Sequence, residues 1–324
     1  MAWRLRLAPE KTSFDFFRFQ WITFGGSMLL MVLAFVAWAV MGLNFGIDFK
    51  GGTTIRTESA QPVDVGAYRA ALEALPLGDV AITEVFDPSF GPDQNVAMVR
   101  IAALDATEAV TPETIAAVEA ALRTIDPAMT FPSVESVGPK VSGELVWGSI
   151  IAVALTSAAV LAYIWMRFEW QYALGAVLAL LHDVFITIGI FALFQIKFDL
   201  TIIAGLLTIL GYSINDTVVV FDRLRENLQK YKTMPLRDVM NLSVNETLSR
   251  TLMTSVTTLI AVGIMMVFGG DVIRGFCFSI FVGIVFGTYS SVYVAKNIVL
   301  MIGLDRSEKP KNKGTPDEFA NVDA

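Results

Sequence analysis

Six long apolar runs punctuate the chain, near residues 22–43, 146–166, 172–194, 200–221, 252–268 and 276–302. Each approaches the about twenty apolar residues that an α-helix needs to cross a hydrocarbon core. The stretch between the first two, residues 44–145, has a different pattern. Residues 51–57 and 80–86 (VAITEVF) read as strands, as do 96–102 (VAMVRIA), because β-branched residues recur at short alternating spacing. Residues 63–75 have helical spacing, with Tyr68, Ala71, Leu72 and Leu75 on one face. Thr111-Pro112-Glu113 opens a second helix, with an N-cap followed by proline at the first helical position, and it runs to Ile125. Residues 131–141 supply a last extended segment. The order β-α-β-β-α-β predicts a ferredoxin-like α+β domain inserted between the first and second membrane helices. Residues 222–250 are polar and of mixed charge, and predict a helical hairpin broken near Pro235.

Composition agrees with the pattern. The 324 residues are 54% hydrophobic and 17% charged, against about 25% charged in soluble domains. Basic residues then orient the spans. Arg4, Arg6, Lys11 and Arg18 precede the first, Arg167 separates the second and third, and Arg223, Arg225, Lys230, Lys232, Arg237 and Arg250 lie between the fourth and fifth. Lys309, Lys311 and Lys313 follow the sixth, whereas the opposite short loops hold only Lys197 and Arg274. Both termini are therefore expected on the cytoplasmic side, with segment 1–21 as a cytoplasmic lead and 303–324 as a polar tail without fixed structure. The inserted domain is expected outside. It is acidic, in keeping with the net charge of −7, and so a poor partner for nucleic acid. The first apolar run is too long for a cleaved signal and reads as an anchor. Asn241-Leu242-Ser243 and Asn245-Glu246-Thr247 match glycosylation sequons, but fall on the expected cytoplasmic side.

Chemistry concentrates in polar residues within the apolar runs. Asp216 lies six residues inside the Asp222-Arg223 edge of the fourth run, roughly 9 Å deep at about 1.5 Å per residue. A carboxylate there costs a few kcal/mol unless paired, neutralised or wetted, which makes it a candidate proton carrier. Ser213, Asn215 and Thr217 would form a polar patch around it. Arg250, opening the fifth run with Thr254 one turn deeper, is the natural partner, since its long stem can reach inward. His182-Asp183 is a second polar island, in the third run. Gly51-Gly52 follows the first run and suggests a tight turn or close packing as the chain enters the outer domain, to which it would pass on motion. Gly283 and Gly287, four apart, permit close helix approach. One histidine and one cysteine, Cys277, leave no multi-histidine metal site and no internal disulfide. No P-loop, nucleophile–base set or cofactor motif is present, so neither an ATP-driven motor nor an enzyme is expected.

Four segments carry a family resemblance: GIDFKGGT at 46–53, VGPKVSGEL at 137–145, GYSINDTVVVFDRLREN at 211–227 and NETLSRTLMTS at 245–255. Together with the six spans they resemble the SecF family over nearly the whole chain. That resemblance implies a bacterial inner-membrane subunit of the resistance–nodulation–division superfamily. It implies a separate SecD partner, the Sec translocase channel beside it and an unfolded preprotein as substrate, with lipid around the helices. It further implies use of the proton gradient, with proton passage falling on Asp216 and Arg250. Two rivals are kept open: a small-molecule or lipid exporter of the same superfamily, which would ordinarily carry two large outer loops, and a structural scaffold that conducts no protons.

Overall fold

The computed structural model describes residues 12–85, 90–91, 94–102 and 110–304. The cations expected at Arg4, Arg6, Lys11, Lys309, Lys311 and Lys313, half of the turn at 88–95 and the polar tail from residue 305 lie outside the described residues. Helix α1 spans Gln20–Met41, and a single-turn helix α2 follows at Ile47–Lys50. The inserted domain contains β1 (Gly52–Ser59), α3 (Val65–Leu72), β2 (Val80–Val85), β3 (Asn95–Ile101), α4 (Pro112–Leu122) and β4 (Thr130–Val137). Five long membrane helices complete the chain. They are α5 (Pro139–Arg167), α6 (Trp170–Leu193), α7 (Leu200–Lys230), α8 (Leu236–Phe268) and α9 (Asp271–Ser290), the last continued by a π turn at Ser291–Ala295 and α10 at Lys296–Ile302. Among the described residues, six helical segments are long and apolar enough to cross a membrane.

The sheet is antiparallel throughout, in the order β2-β3-β1-β4, which is the ferredoxin-like arrangement expected from the element order. Asp64 accepts the backbone N–H groups of Gly66 and Ala67 and so starts α3. Thr111 accepts that of Thr114 and starts α4 with Pro112 behind it. Ile55, Val99, Tyr68, Val118 and Leu122 are nearly fully buried in the core between the sheet and these helices. Period-2 and period-3.6 apolar positions thus meet on one face. The last strand is shorter than expected. It stops at Val137 because Pro139, whose φ suits a first helical turn and whose missing N–H is no loss there, already begins α5.

The polar segment 222–250 is helical on both sides of a break, and its two arms continue membrane helices. Helix α7 continues unbroken to Lys230 and α8 starts at Leu236, with Pro235 as its N-cap. The break falls where expected. Arg223 pairs with Glu246 at 2.7 Å across them, and Asn227 donates to Ser243 at 3.0 Å. Asn241 and Asn245 on α8 bond the backbone of Phe14 and Phe16, so the leading segment is fastened to this same end.

The inserted domain attaches at the other end. Gly46 N–H donates to the Phe198 carbonyl and Phe198 N–H to the Asn44 carbonyl, both at 2.8 Å. Ser142 of α5 donates to the Ile47 carbonyl at 3.2 Å. Gly51 and Gly52 have φ of 73° and 124°, left-handed values that disfavour any side chain. A Cβ on Gly52 would meet the Ile101 carbonyl oxygen at 2.4 Å. The two glycines thus combine both expected uses, a left-handed turn and a close backbone approach.

Candidate functional site: a polar network inside the helix bundle

With 3.6 residues per turn, α7 turns Ser213, Asp216, Thr217 and Val220 inward together. Asn215 belongs to the opposite face and is exposed, so it stands outside the polar patch expected to include it. Asp216 is 2% exposed and its Oδ2 has no hydrogen-bond partner. Its carboxyl group faces the hydroxyls of Ser255 and Thr254 and the charge of Arg250, all on α8. Arg250 itself is exposed, and because α8 begins fourteen residues earlier at Leu236 it sits well inside that helix instead of opening it. Thr254 donates back to the Arg250 and Thr251 carbonyls, leaving its oxygen lone pairs available sideways.

Asp183 is the better-satisfied carboxylate. It is fully buried. Ser213 donates to its Oδ2 at 2.7 Å and Ser290 at 2.8 Å, while His182 Nδ1 lies 3.0 Å from Oδ1. Three helices thus converge on one side chain, and Ser213 joins it to the helix of Asp216. Gly287 makes the convergence possible, since a Cβ there would come within 3.1 Å of Ser213 and 3.5 Å of Asp183 Oδ2. Gly283 does the same one turn earlier, against Ile209.

Further hydroxyls extend the network. Thr217 and Ser291 share a hydrogen bond of 2.9 Å, and Ser255 and Thr288 one of 2.7 Å. Ser290 and Ser291 point inward on successive positions because the helix widens into the π turn, a distortion frequent at functional sites. Sequence reasoning missed these serines, since Ser and Thr in a membrane helix are common packing residues. It also missed Lys296, a cation in an apolar run. Lys296 is 1% exposed, its Nζ sits 3.4 Å above the Phe17 ring, and it donates to the Phe16 carbonyl at 3.2 Å. Asp48 was missed too, for its partner is remote in sequence: its Oδ2 accepts the Leu200 N–H at the start of α7.

These features define a multi-pass membrane protein, with six helices of membrane-crossing length among the described residues and ionisable groups kept in its interior. A family model for the protein export membrane proteins SecD/SecF, C-terminal part, matches residues 117–305, and one for the SecD/SecF GG motif matches residues 36–63, which contain Gly51 and Gly52. The protein translocase subunit SecF of Cereibacter sphaeroides is 69% identical over the whole of both chains. That of Rhodobacter capsulatus is 63% identical over 96% of each. The crystal structure of SecDF from Thermus thermophilus, described as a translocon-associated membrane protein, superposes with a TM-score of 0.81 at 34% identity. The match covers 91% of this chain and 39% of that longer one. A super-membrane-facing form of SecDF gives a TM-score of 0.66 at 35% identity, over 92% and 39% of the two chains. The chain belongs to the SecF family of protein translocase subunits.

Proposed function

We propose that the chain works with SecD, beside the Sec channel of the bacterial inner membrane, to draw unfolded preproteins outward at the expense of the proton gradient. Both termini lie in the cytoplasm in this reading, and the ferredoxin-like domain in the periplasm. The domain and the basic hairpin extensions stand at opposite ends of the bundle, which supports that orientation. Exposed apolar residues such as Leu33, Ile150 and Ile264 suit contact with lipid or with SecD. The likeness to SecDF, whose chain is longer by more than this one covers, supports SecD as the missing half.

The observation that carries the reading is Asp216, buried with an unpartnered oxygen and facing Thr254, Ser255 and the charge of Arg250. One charge moving through 100 mV yields about 2.3 kcal/mol, enough to shift a two-state equilibrium if protonation biases the two states differently. Asp216 takes the proton, Arg250 competes with it for the carboxylate, and α7 responds. Asp48 and the Gly51-Gly52 turn relay that response to the outer domain. Asp216→Asn tests this. The proton-gradient-dependent part of export into inverted membrane vesicles is expected to disappear while the protein still assembles with SecD. Undiminished gradient-dependent export would instead favour the scaffold reading.

A further inference from the structure

His182 is the sole histidine of the sequence and is 1% exposed. Its Nδ1 contacts Asp183 Oδ1 at 3.0 Å, whereas its Nε2 is buried with no hydrogen-bond partner. Ser213 and Ser290 both donate to Asp183 Oδ2. Donors on both oxygens suit an ionised carboxylate accepting from an Nδ1–H group. That tautomer leaves the Nε2 lone pair bare inside the bundle.

We propose that His182 is a second proton-binding group of the bundle, taking its proton at Nε2, with Asp183 as the positioning residue that fixes the tautomer. Uptake adds one proton to the Nε2 lone pair and turns a neutral ring beside a carboxylate into an imidazolium–carboxylate pair. Asp183 is the titratable group in direct contact with the ring. On the helices packed against α6, the others within the bundle are Tyr163 on α5, Asp216 and Tyr212 on α7, Cys277 and Tyr289 on α9, Tyr293 in the π turn and Lys296 on α10, while α1 bears none. Ser213 lies one turn before Asp216 on the same face of α7, so a change in charge at the dyad reaches the helix of the first site. The inference goes beyond the export reading and does not need it.

A single histidine makes the test direct. Nuclear magnetic resonance of the full chain in lipid nanodiscs, with isotope-labelled histidine, reports both ring nitrogens. As the pH is lowered, the ring is expected to pass from a single Nδ1–H tautomer to the doubly protonated form. A proton already on Nε2 at the alkaline end, or an Nε2 that never gains one, overturns the proposal. Asp183→Asn, or Ser290→Ala where the first does not fold, is expected to mix the two tautomers; an unchanged ring overturns the positioning role. Asp216→Asn is expected to leave uptake at His182 in place. Loss of uptake there would reduce His182 to a reporter of Asp216 and overturn the second site, whereas failure of the export reading leaves these spectra as they are.

Discussion

Asp48 Oδ2 accepts the backbone N–H of Leu200 at 3.0 Å, so the linker beneath the inserted domain caps the helix that carries Asp216. Asp199 accepts the next amide, that of Thr201, from inside the same turn. Two carboxylates therefore meet the positive end of α7, one of them from the linker that leads into the inserted domain.

Asp48→Ala is expected to fray the first turn of α7, at a cost of about 1 kcal/mol, in the range of lost helix caps. Hydrogen exchange should quicken at Leu200 and its following residues, and stay unchanged near Asp216. Asp48→Asn, which keeps an acceptor, should recover most of the protection.

Gly52 has no room for a methyl group and a φ that side chains avoid. Gly52→Ala is expected to destabilise the inserted domain by about 1–3 kcal/mol through strain and the clash with Ile101. Gly143, in α5, has open space around it, and Gly143→Ala should be neutral or stabilising by up to about 1 kcal/mol from helix propensity. Thermal unfolding of the two variants side by side checks both.

The Ser59 hydroxyl donates to Asp126 Oδ2 at 2.6 Å and the Ala128 amide to Oδ1 at 2.9 Å. The Ser59 bond first, and the Ala128 amide after it, hold the Asp126 carboxyl below the usual aspartate range. A depressed carboxyl contributes its stability above the unfolded value of about 3.9 and loses it as the pH falls through the folded one. The inserted domain is thus expected to weaken below about pH 4, and Ser59→Ala to flatten that acid dependence. Denaturation midpoints measured between neutral pH and the acid end decide it.

Lys296 bonds the Phe16 carbonyl and stands over the Phe17 ring, a desolvated cation–π contact of the kind worth about 2 kcal/mol. Lys296→Met keeps the volume and removes the charge. It is expected to release residues 12–17 to proteases several-fold faster, while the Asn245 contacts to Phe14 keep part of the protection. Equal cleavage rates would show that the asparagines alone hold the segment.

Long apolar runs, strand alternation and capping residues are local, and they were enough to predict six membrane helices and an inserted β-α-β-β-α-β domain. Asp216 was legible for the same reason, as a charge where neighbours are apolar. Which polar residues share an interior was a different matter. Asn215 and Thr217 are adjacent to Asp216 in sequence, yet α7 sends one outward and the other to Ser291. Asp183 draws its donors from positions 30 and 107 residues away, and no spacing rule links them. Local sequence determined the elements because helix and strand periods and caps act over a few residues. Only tertiary packing decided the network, because glycines such as Gly287 set how closely the helices approach, and that approach selects which side chains meet.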